Sequence, residues 1–580
     1  MNVALMTCLS VFSMNATAQQ PDFRYPLNIL PSFSGNYGEL RSNHFHGGID
    51  CRVGGVIGAP VFATDSGYVS QISISSSGYG NALFITHPNG YTSVYGHLSR
   101  YSDRIKKNIL ERQYADKRSE IEIEFQPNIL KVERGEIVGY AGNSGSSLGP
   151  HLHFEIRETK SNTQLNVFGR NFIRVEDKIP PQLKRVLFVG YSEKDGVPVS
   201  KPVKMVTLPA QGVIMLPQRS YVAIDAIDRM EGTSAKLAVE EYNVYLDNDR
   251  IFSLNIGEVP PDKNRYINSL IYFPYKSKGG DPLIKSLVEP GNALKNRIIA
   301  KYSGLIVLND TNVHQVKVEV LDYKKNITSR IFNVQRCAGD VEYEVIPDDM
   351  ENTQNTLGRG EMNNSMSSEC EPGREMYMEW FLANIYNTKG LEISIPPASF
   401  YSPVLFKADT AAFRINSYAP VWDIGDRAVS LHFPAIVRVK CSVPDSLASK
   451  AVLVAVSNKG GLTSVGGNYS NGILTAKIRN FGRFTVATDT KAPNISTAMR
   501  DGAIVKGKEL KFRIYDNLSG IRSYEVLIDD NWVVTSMDAK SATLSVPLQD
   551  AKISRGKHTV KVNVVDGCGN ASSLSRIFTY

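Results

Sequence analysis

At 580 residues, the chain has length for about four domains of roughly 150 residues each. Hydrophobic residues make up 42% and charged residues 21%, which excludes a disordered chain. The formal charge of +7 is small for this length and is not gathered into a basic patch, so a nucleic-acid partner has no support.

Residues 5–14 form a short apolar run, and Ala16-Thr17-Ala18 before Gln19 fits a small-x-small cleavage site. Together they predict an export signal over 1–18, although no Lys or Arg precedes the run. Cys8 lacks the small residues expected before a lipid-modified cysteine, and no later stretch is apolar over enough residues to read as a membrane-spanning helix. Beyond the signal lie Cys51, Cys337, Cys370, Cys441 and Cys568. They form no CxxC pair, which argues against a cysteine metal site. Cys337 and Cys370 are the pair that an oxidising compartment could join.

Residues 19–178 are expected to form one domain. Short alternating runs at 61–63, 68–74, 82–86 and 91–95 predict strands, and His87-Pro88-Asn89-Gly90 predicts a hairpin turn. The charged stretch 100–124 predicts a helix. Ile179-Pro180-Pro181 marks a boundary. An internal repeat organises the rest. Residues 314–322 and 558–566 are both strictly alternating, end in Asp322 and Asp566, and are followed four residues later by Asn326 and Asn570. Upstream, 242–247 parallels 524–529. Alternation broken by turn residues predicts β-sandwiches at 179–340 and 491–580, similar to the immunoglobulin-like modules of exported bacterial proteins. A polar linker over 347–374 leads into another β domain, within 341–490, with strands predicted at 435–439 and 451–456. His314, His432 and His558 stand alone in these modules and are expected to be structural.

Six of the nine histidines lie between residues 44 and 153. His151 and His153 alternate on one strand and so face one site, with Glu155 next on that face. Gly47 and Gly48 allow a tight bend between His46 and Asp50. A hydrolytic zinc takes three protein ligands and leaves one position open. Three of His46, Asp50, His151 and His153 would meet that need, which leaves the remaining histidine and His97 for proton chemistry.

His46-x-x-x-Asp50, Tyr95-Gly96-His97-Leu98 and Gly149-Pro150-His151-Leu152-His153-Phe154-Glu155 resemble the lysostaphin/LytM-type zinc endopeptidases. So do Gly58-Ala59-Pro60-Val61, Gly78-Tyr79-Gly80-Asn81 and the run from Val132 to Gly139 leading into Asn143-Ser144-Gly145. The resemblance covers about residues 38–160. It implies that His46, Asp50 and His153 bind Zn2+. It also implies that His151 is the general base for the attacking water, and that His97 stabilises the tetrahedral intermediate and shares in proton transfer. The substrate it implies is the peptide part of peptidoglycan. The export signal and the modular β tail suggest a protein of the periplasm or envelope of a Gram-negative bacterium, where stem-peptide cross-links are the expected target. The expected fold is mainly β: an antiparallel β-sheet zinc peptidase domain followed by several immunoglobulin-like β-sandwich modules.

This chain departs from the compact family pattern in its long interval from His97 to His151, whose excess is expected to wall or cover the cleft. No inhibitory prosegment is evident before His44, though Asn43 is positioned in sequence to occlude a metal. His44 is expected to line the cleft, His87 to be solvated, and Cys51 to be a buried thiol. Glu155 either orients a metal-site histidine or is an ordinary strand charge. Two other classes are a catalytically silent wall binder or activator, which predicts missing ligands, and an adhesin whose sandwiches bind glycan.

Overall fold

The computed structural model describes residues 21–207, 212–338, 369–412 and 415–580. The predicted export signal and most of the predicted polar linker fall outside them. Strands dominate throughout. In chain order the first domain contains β1 (Phe33–Gly35), β2 (Leu40–Arg41), β3 (His44–Phe45), β4 (Ile49–Arg52), β5 (Pro60–Phe62), β6 (Gly67–Ile74), β7 (Asn81–Thr86), β8 (Tyr91–Gly96) and β9 (Leu98–Tyr101). Then follow α1 (Asp103–Asp116), β10 (Ile121–Glu124), β11 (Lys131–Val132), β12 (Ile137–Ala141), β13 (His151–Glu158) and β14 (Gln164–Leu165).

The main sheet runs β1-β4-β13-β8-β7-β6-β10, with β11 on β6 and β14 on β13. The smaller sheet is β5-β12-β9. One apolar core joins both, through Val61, Ile72, Leu83, Leu98, Val138 and Phe154. The β7–β8 hairpin turns at 87–90, where Gly90 takes φ +86°. His87 is 3% exposed rather than solvated. Its ring turns back over the hairpin to bond the Ser66 carbonyl at 2.9 Å and Ser93 Oγ at 2.8 Å.

The predicted helix in the His97–His151 interval is α1. It is a docking element for the last module: Tyr114 Oη donates to the Asp550 carbonyl, Tyr114 meets Trp532 edge-on at 5.3 Å, and Lys106 pairs with Asp550 at 2.7 Å.

The remaining segments form three two-sheet β-sandwiches. The first spans Gln182–Arg336, and Val186, Phe188 and Val222 from one sheet meet Val244, Val318 and Phe332 from the other. The second spans Asn384–Thr388 to Gly482–Thr488 and is centred on Ile393, Trp422, Val437 and Val486. The third spans Asn494–Ser496 to Ala571–Thr579 and is centred on Phe512, Ile514, Val562 and Phe578. The sequence repeat appears as matching pairings. Val213–Leu216 lies parallel to Ile327–Arg336, as Ala503–Ile504 lies parallel to Ala571–Thr579. Even the isolated histidines correspond: His314 bonds Asp247, and His558 bonds Asp529. Cys337 and Cys370 are not joined, and Cys51, Cys441 and Cys568 are free as well. No helix among the described residues is long and apolar enough to cross a membrane.

Candidate metal centre

β13 lies between β4 and β8, and its register sets His153 opposite both Asp50 and Gly96. The bend between His46 and Asp50 needs glycine. A Cβ on Gly47 would meet the Gln164 amide at 2.0 Å, and one on Gly48 would meet the Phe154 carbonyl at 2.3 Å. The result is a nearly equilateral set of donor atoms. His46 Nε2 is 3.0 Å from His153 Nδ1, and each is 3.0 Å from Asp50 Oδ1. A tetrahedral ion with bonds of about 2.0–2.1 Å separates its ligand atoms by about 3.3 Å, so these three atoms fit such an ion. They form a buried group that could hold a metal ion.

The other ring nitrogens are engaged by the chain. His46 Nδ1–H donates to the Asn36 carbonyl at 2.7 Å, leaving Nε2 free. His153 is held the opposite way round: Nε2–H donates to Glu155 Oε1 at 2.8 Å, which leaves Nδ1 for the site. Glu155 is itself 1% exposed and takes further bonds from Tyr79, Arg157 and Gln164. Of the two readings of Glu155, the geometry matches the orienting one. Arg41 anchors the second Asp50 oxygen at 2.8 Å.

His151 and His97 stand beside this set. His151 Nε2 is 3.3 Å from Asp50 Oδ1, and its Nδ1–H donates to the Gly149 carbonyl at 2.8 Å. His97 Nδ1–H donates to the Ser144 carbonyl at 2.8 Å, and its ring centroid lies 4.8 Å from that of His151. The fold thus brings all five predicted residues together. It does not bring His44, which is exposed and bonds the Ser42 carbonyl, nor Asn43, whose amide oxygen accepts from Asn268. Cys51 is wholly buried, as expected.

The electrostatics follow from burial opposed by close charge. Burial alone would raise the Asp50 carboxyl, but the charge on His46 and hydrogen bonds from the three histidines hold it well below the usual range. Burial works against a charged His153 too, yet its bonds to Asp50 and Glu155 win and raise it to about 9. Burial also opposes the Glu155 carboxylate, and Arg157 followed by His153 brings it far down. His97 has no such partner: burial, then the charges of His153 and His151, push it to about 3. The sequence patterns gave no orienting role to Asn36, Ser144, Gly149, Arg41 or Gln164, although Ser144 and Gly149 stand inside the motifs that carry the resemblance; the first three act through carbonyls that any residue could supply.

The arrangement is a three-donor triangle that could hold a metal ion, with the imidazoles of His97 and His151 beside it. Residues 44–114 match peptidase family M23. Residues 375–489 match a Zu5-like domain. DD-carboxypeptidase/endopeptidase Mpg of Neisseria meningitidis serogroup B is 34% identical over 118 residues, covering 20% of this chain and 21% of that protein. Peptidoglycan DD-endopeptidase ShyA of Vibrio cholerae serotype O1 is 29% identical over 153 residues, covering 25% of this chain and 29% of that protein. The chain therefore matches only about a fifth to a third of the length of these relatives. Among solved structures, the catalytic domain of the prophage-encoded M23 protein EnpA from Enterococcus faecalis is 28% identical, covering 24% of this chain and 88% of that one, with a TM-score of 0.18.

Proposed function

We propose that the chain is an exported zinc metalloendopeptidase that hydrolyses stem-peptide cross-links of peptidoglycan in a Gram-negative envelope. The observation that carries this reading is the 3.0 Å donor triangle with two open imidazoles beside it. His46 Nε2, Asp50 Oδ1 and His153 Nδ1 would hold the ion. When bound, zinc supplies Lewis acidity toward a peptide carbonyl and makes water nucleophilic near neutral pH.

The chain's own groups handle protons and orientation. Asn36 and Glu155 fix which nitrogen of His46 and of His153 faces the ion. His151, anchored through Nδ1, presents the Nε2 lone pair and takes a proton from the attacking water. His97 is kept neutral by burial, so its Nε2 is also an acceptor at rest. It supports a developing oxyanion only after it has gained a proton. The name of the Vibrio relative, a peptidoglycan DD-endopeptidase, supports the peptidoglycan substrate.

The test is digestion of purified sacculi with the full chain, followed by mass spectrometry of the muropeptides. Cross-linked dimers should become monomers while the stems stay on the glycan, and the activity should vanish on chelation and return with zinc. Release of intact stems would make the protein an amidase, and unchanged muropeptides would remove the wall substrate.

A further inference from the structure

The internal repeat carries three carboxylates at matching positions in each copy. Asp177, Asp228 and Asp322 bring ligand-capable oxygens within 4.8 Å of one another, and so do Asp489, Asp516 and Asp566. Asp177 and Asp489 lie four residues ahead of Pro181 and Pro493, on the linkers entering their sandwiches. Asp228 and Asp516 directly follow the strands Arg219–Ile227 and Glu509–Tyr515. Asp322 and Asp566 open the repeated hairpin turns. There Asn326 donates Nδ2 to Asp322 at 2.8 Å and to the Asp177 carbonyl at 3.2 Å. Asn570 does the same, to Asp566 at 2.6 Å and to the Asp489 carbonyl at 2.9 Å.

Clustering alone would not make a site. The second observation is Asp228, which is 0% exposed and has no hydrogen-bond partner on either carboxylate oxygen. In the other copy Asp516 Oδ1 is also buried without a partner. A buried carboxylate left this way lacks compensation for its lost hydration, and a cation in the cluster supplies it. The donors are all oxygens, with no nitrogen or sulfur among them, which selects a hard ion. Magnesium keeps several waters and demands near-ideal octahedral geometry, whereas calcium accepts irregular sets of protein oxygens. A centre built around a fully buried Asp228 therefore favours calcium.

We propose that each repeated sandwich binds one Ca2+ ion, held by Asp177, Asp228 and Asp322 in the first and by Asp489, Asp516 and Asp566 in the last. Each ion ties the entering linker to the sandwich. In the first copy it also steadies the segment after Asp228, whose Met230 and Leu237 join the peptidase-domain core and whose Thr233 donates to the Phe33 carbonyl on β1 at 2.7 Å. That strand pairs with β4, which carries Asp50.

The experiment is equilibrium dialysis of the full chain against about 1 mM free Ca2+, within the range of extracellular calcium modules, with metal counted per chain by mass spectrometry. About two Ca2+ per chain are expected, one in Asp228→Asn, one in Asp516→Asn and none in the double variant. Calcium should raise the melting temperature of the wild type and not of the double variant. Both substitutions keep the side-chain shape, and circular dichroism checks that the variants fold. The wild-type count and melting shift stand independently of any variant. Wild-type protein that holds no calcium and melts identically with and without it would overturn the proposal. So would a double variant that holds as much as the wild type, or magnesium retained as well as calcium.

Discussion

Glu155→Gln removes one charge and leaves the shape of the side chain. In the native site four donors converge on that carboxylate: Tyr79 Oη at 2.6 Å, Arg157 Nε at 2.7 Å, His153 Nε2 at 2.8 Å and Gln164 Nε2 at 3.1 Å. A glutamine offers one acceptor oxygen and turns two donors toward them. His153 then loses its anchor, and Nδ1 loses the basicity that a negatively charged partner on Nε2 confers. Orienting partners of this kind are worth about 10–100-fold in metal affinity, or about 1.4–2.8 kcal/mol. Arg157 is 8% exposed and keeps Asn162 at 2.9 Å, so the loss of stability should stay below the roughly 3–5 kcal/mol of a fully broken buried pair. The assay is zinc competition against a chromophoric chelator, run below the variant's melting temperature, with turnover measured again at saturating zinc. Affinity within about twofold of wild type, in a folded variant, would refute the view that Glu155 sets the ligating nitrogen of His153.

Three further outcomes are expected. Alanine at His46, Asp50 or His153 should lose zinc and activity together, whereas alanine at His97 or His151 should keep zinc while turnover falls about 10²–10⁴-fold; zinc counts and rates on the same five variants decide, and His151→Ala losing zinc while His153→Ala keeps it would reverse those two roles. A fragment of residues 19–178 should melt below the full chain, because Met230 and Leu237 leave its core, each worth about 1.5–3 kcal/mol, and Tyr37 loses its bond to the Val259 amide; equal melting temperatures would contradict this. His432 is 5% exposed, and burial, then Arg265 and Lys263, lower it to about 4 from 6.5. The unfolded chain therefore takes up this proton first, so the stability from a neutral His432 is complete above pH 6.5 and is lost as pH falls toward 4, approaching about 3 kcal/mol. His432→Gln should flatten that part of the melting profile, and a profile as steep as wild type would refute the assignment.

The strands of the first domain were legible because their alternation and turns are local. The runs at 68–74 and 82–86 sit inside β6 and β7, and α1 lies within its predicted charged stretch. What the helix does was not legible. Its partner surface, Trp532 and Asp550, lies more than four hundred residues away, and no local pattern encodes a contact at that separation. His87 failed for a related reason. Turn residues are usually solvated, but here Phe23, from the segment before β1, packs on the ring at 5.8 Å and closes it off.

The five-residue constellation could be read from side-chain identity, because metal and proton chemistry require particular side chains at particular spacings. The tautomers that make those residues work could not. Three of the four histidines are set by main-chain carbonyls, at Asn36, Ser144 and Gly149, and a carbonyl leaves no mark on sequence. His153 is oriented by a carboxylate, and Glu155 was visible because it follows on the same strand face. The Ser144 contact also reaches beyond the domain: Lys540 of the last sandwich donates to the carbonyls of Asn143 and Gly145, on either side of it. The loop that orients His97 is thus braced by a module nearly four hundred residues downstream. A cation that stiffens the sandwich carrying Lys540 and a carbonyl that holds a proton-handling histidine therefore belong to one connected structure.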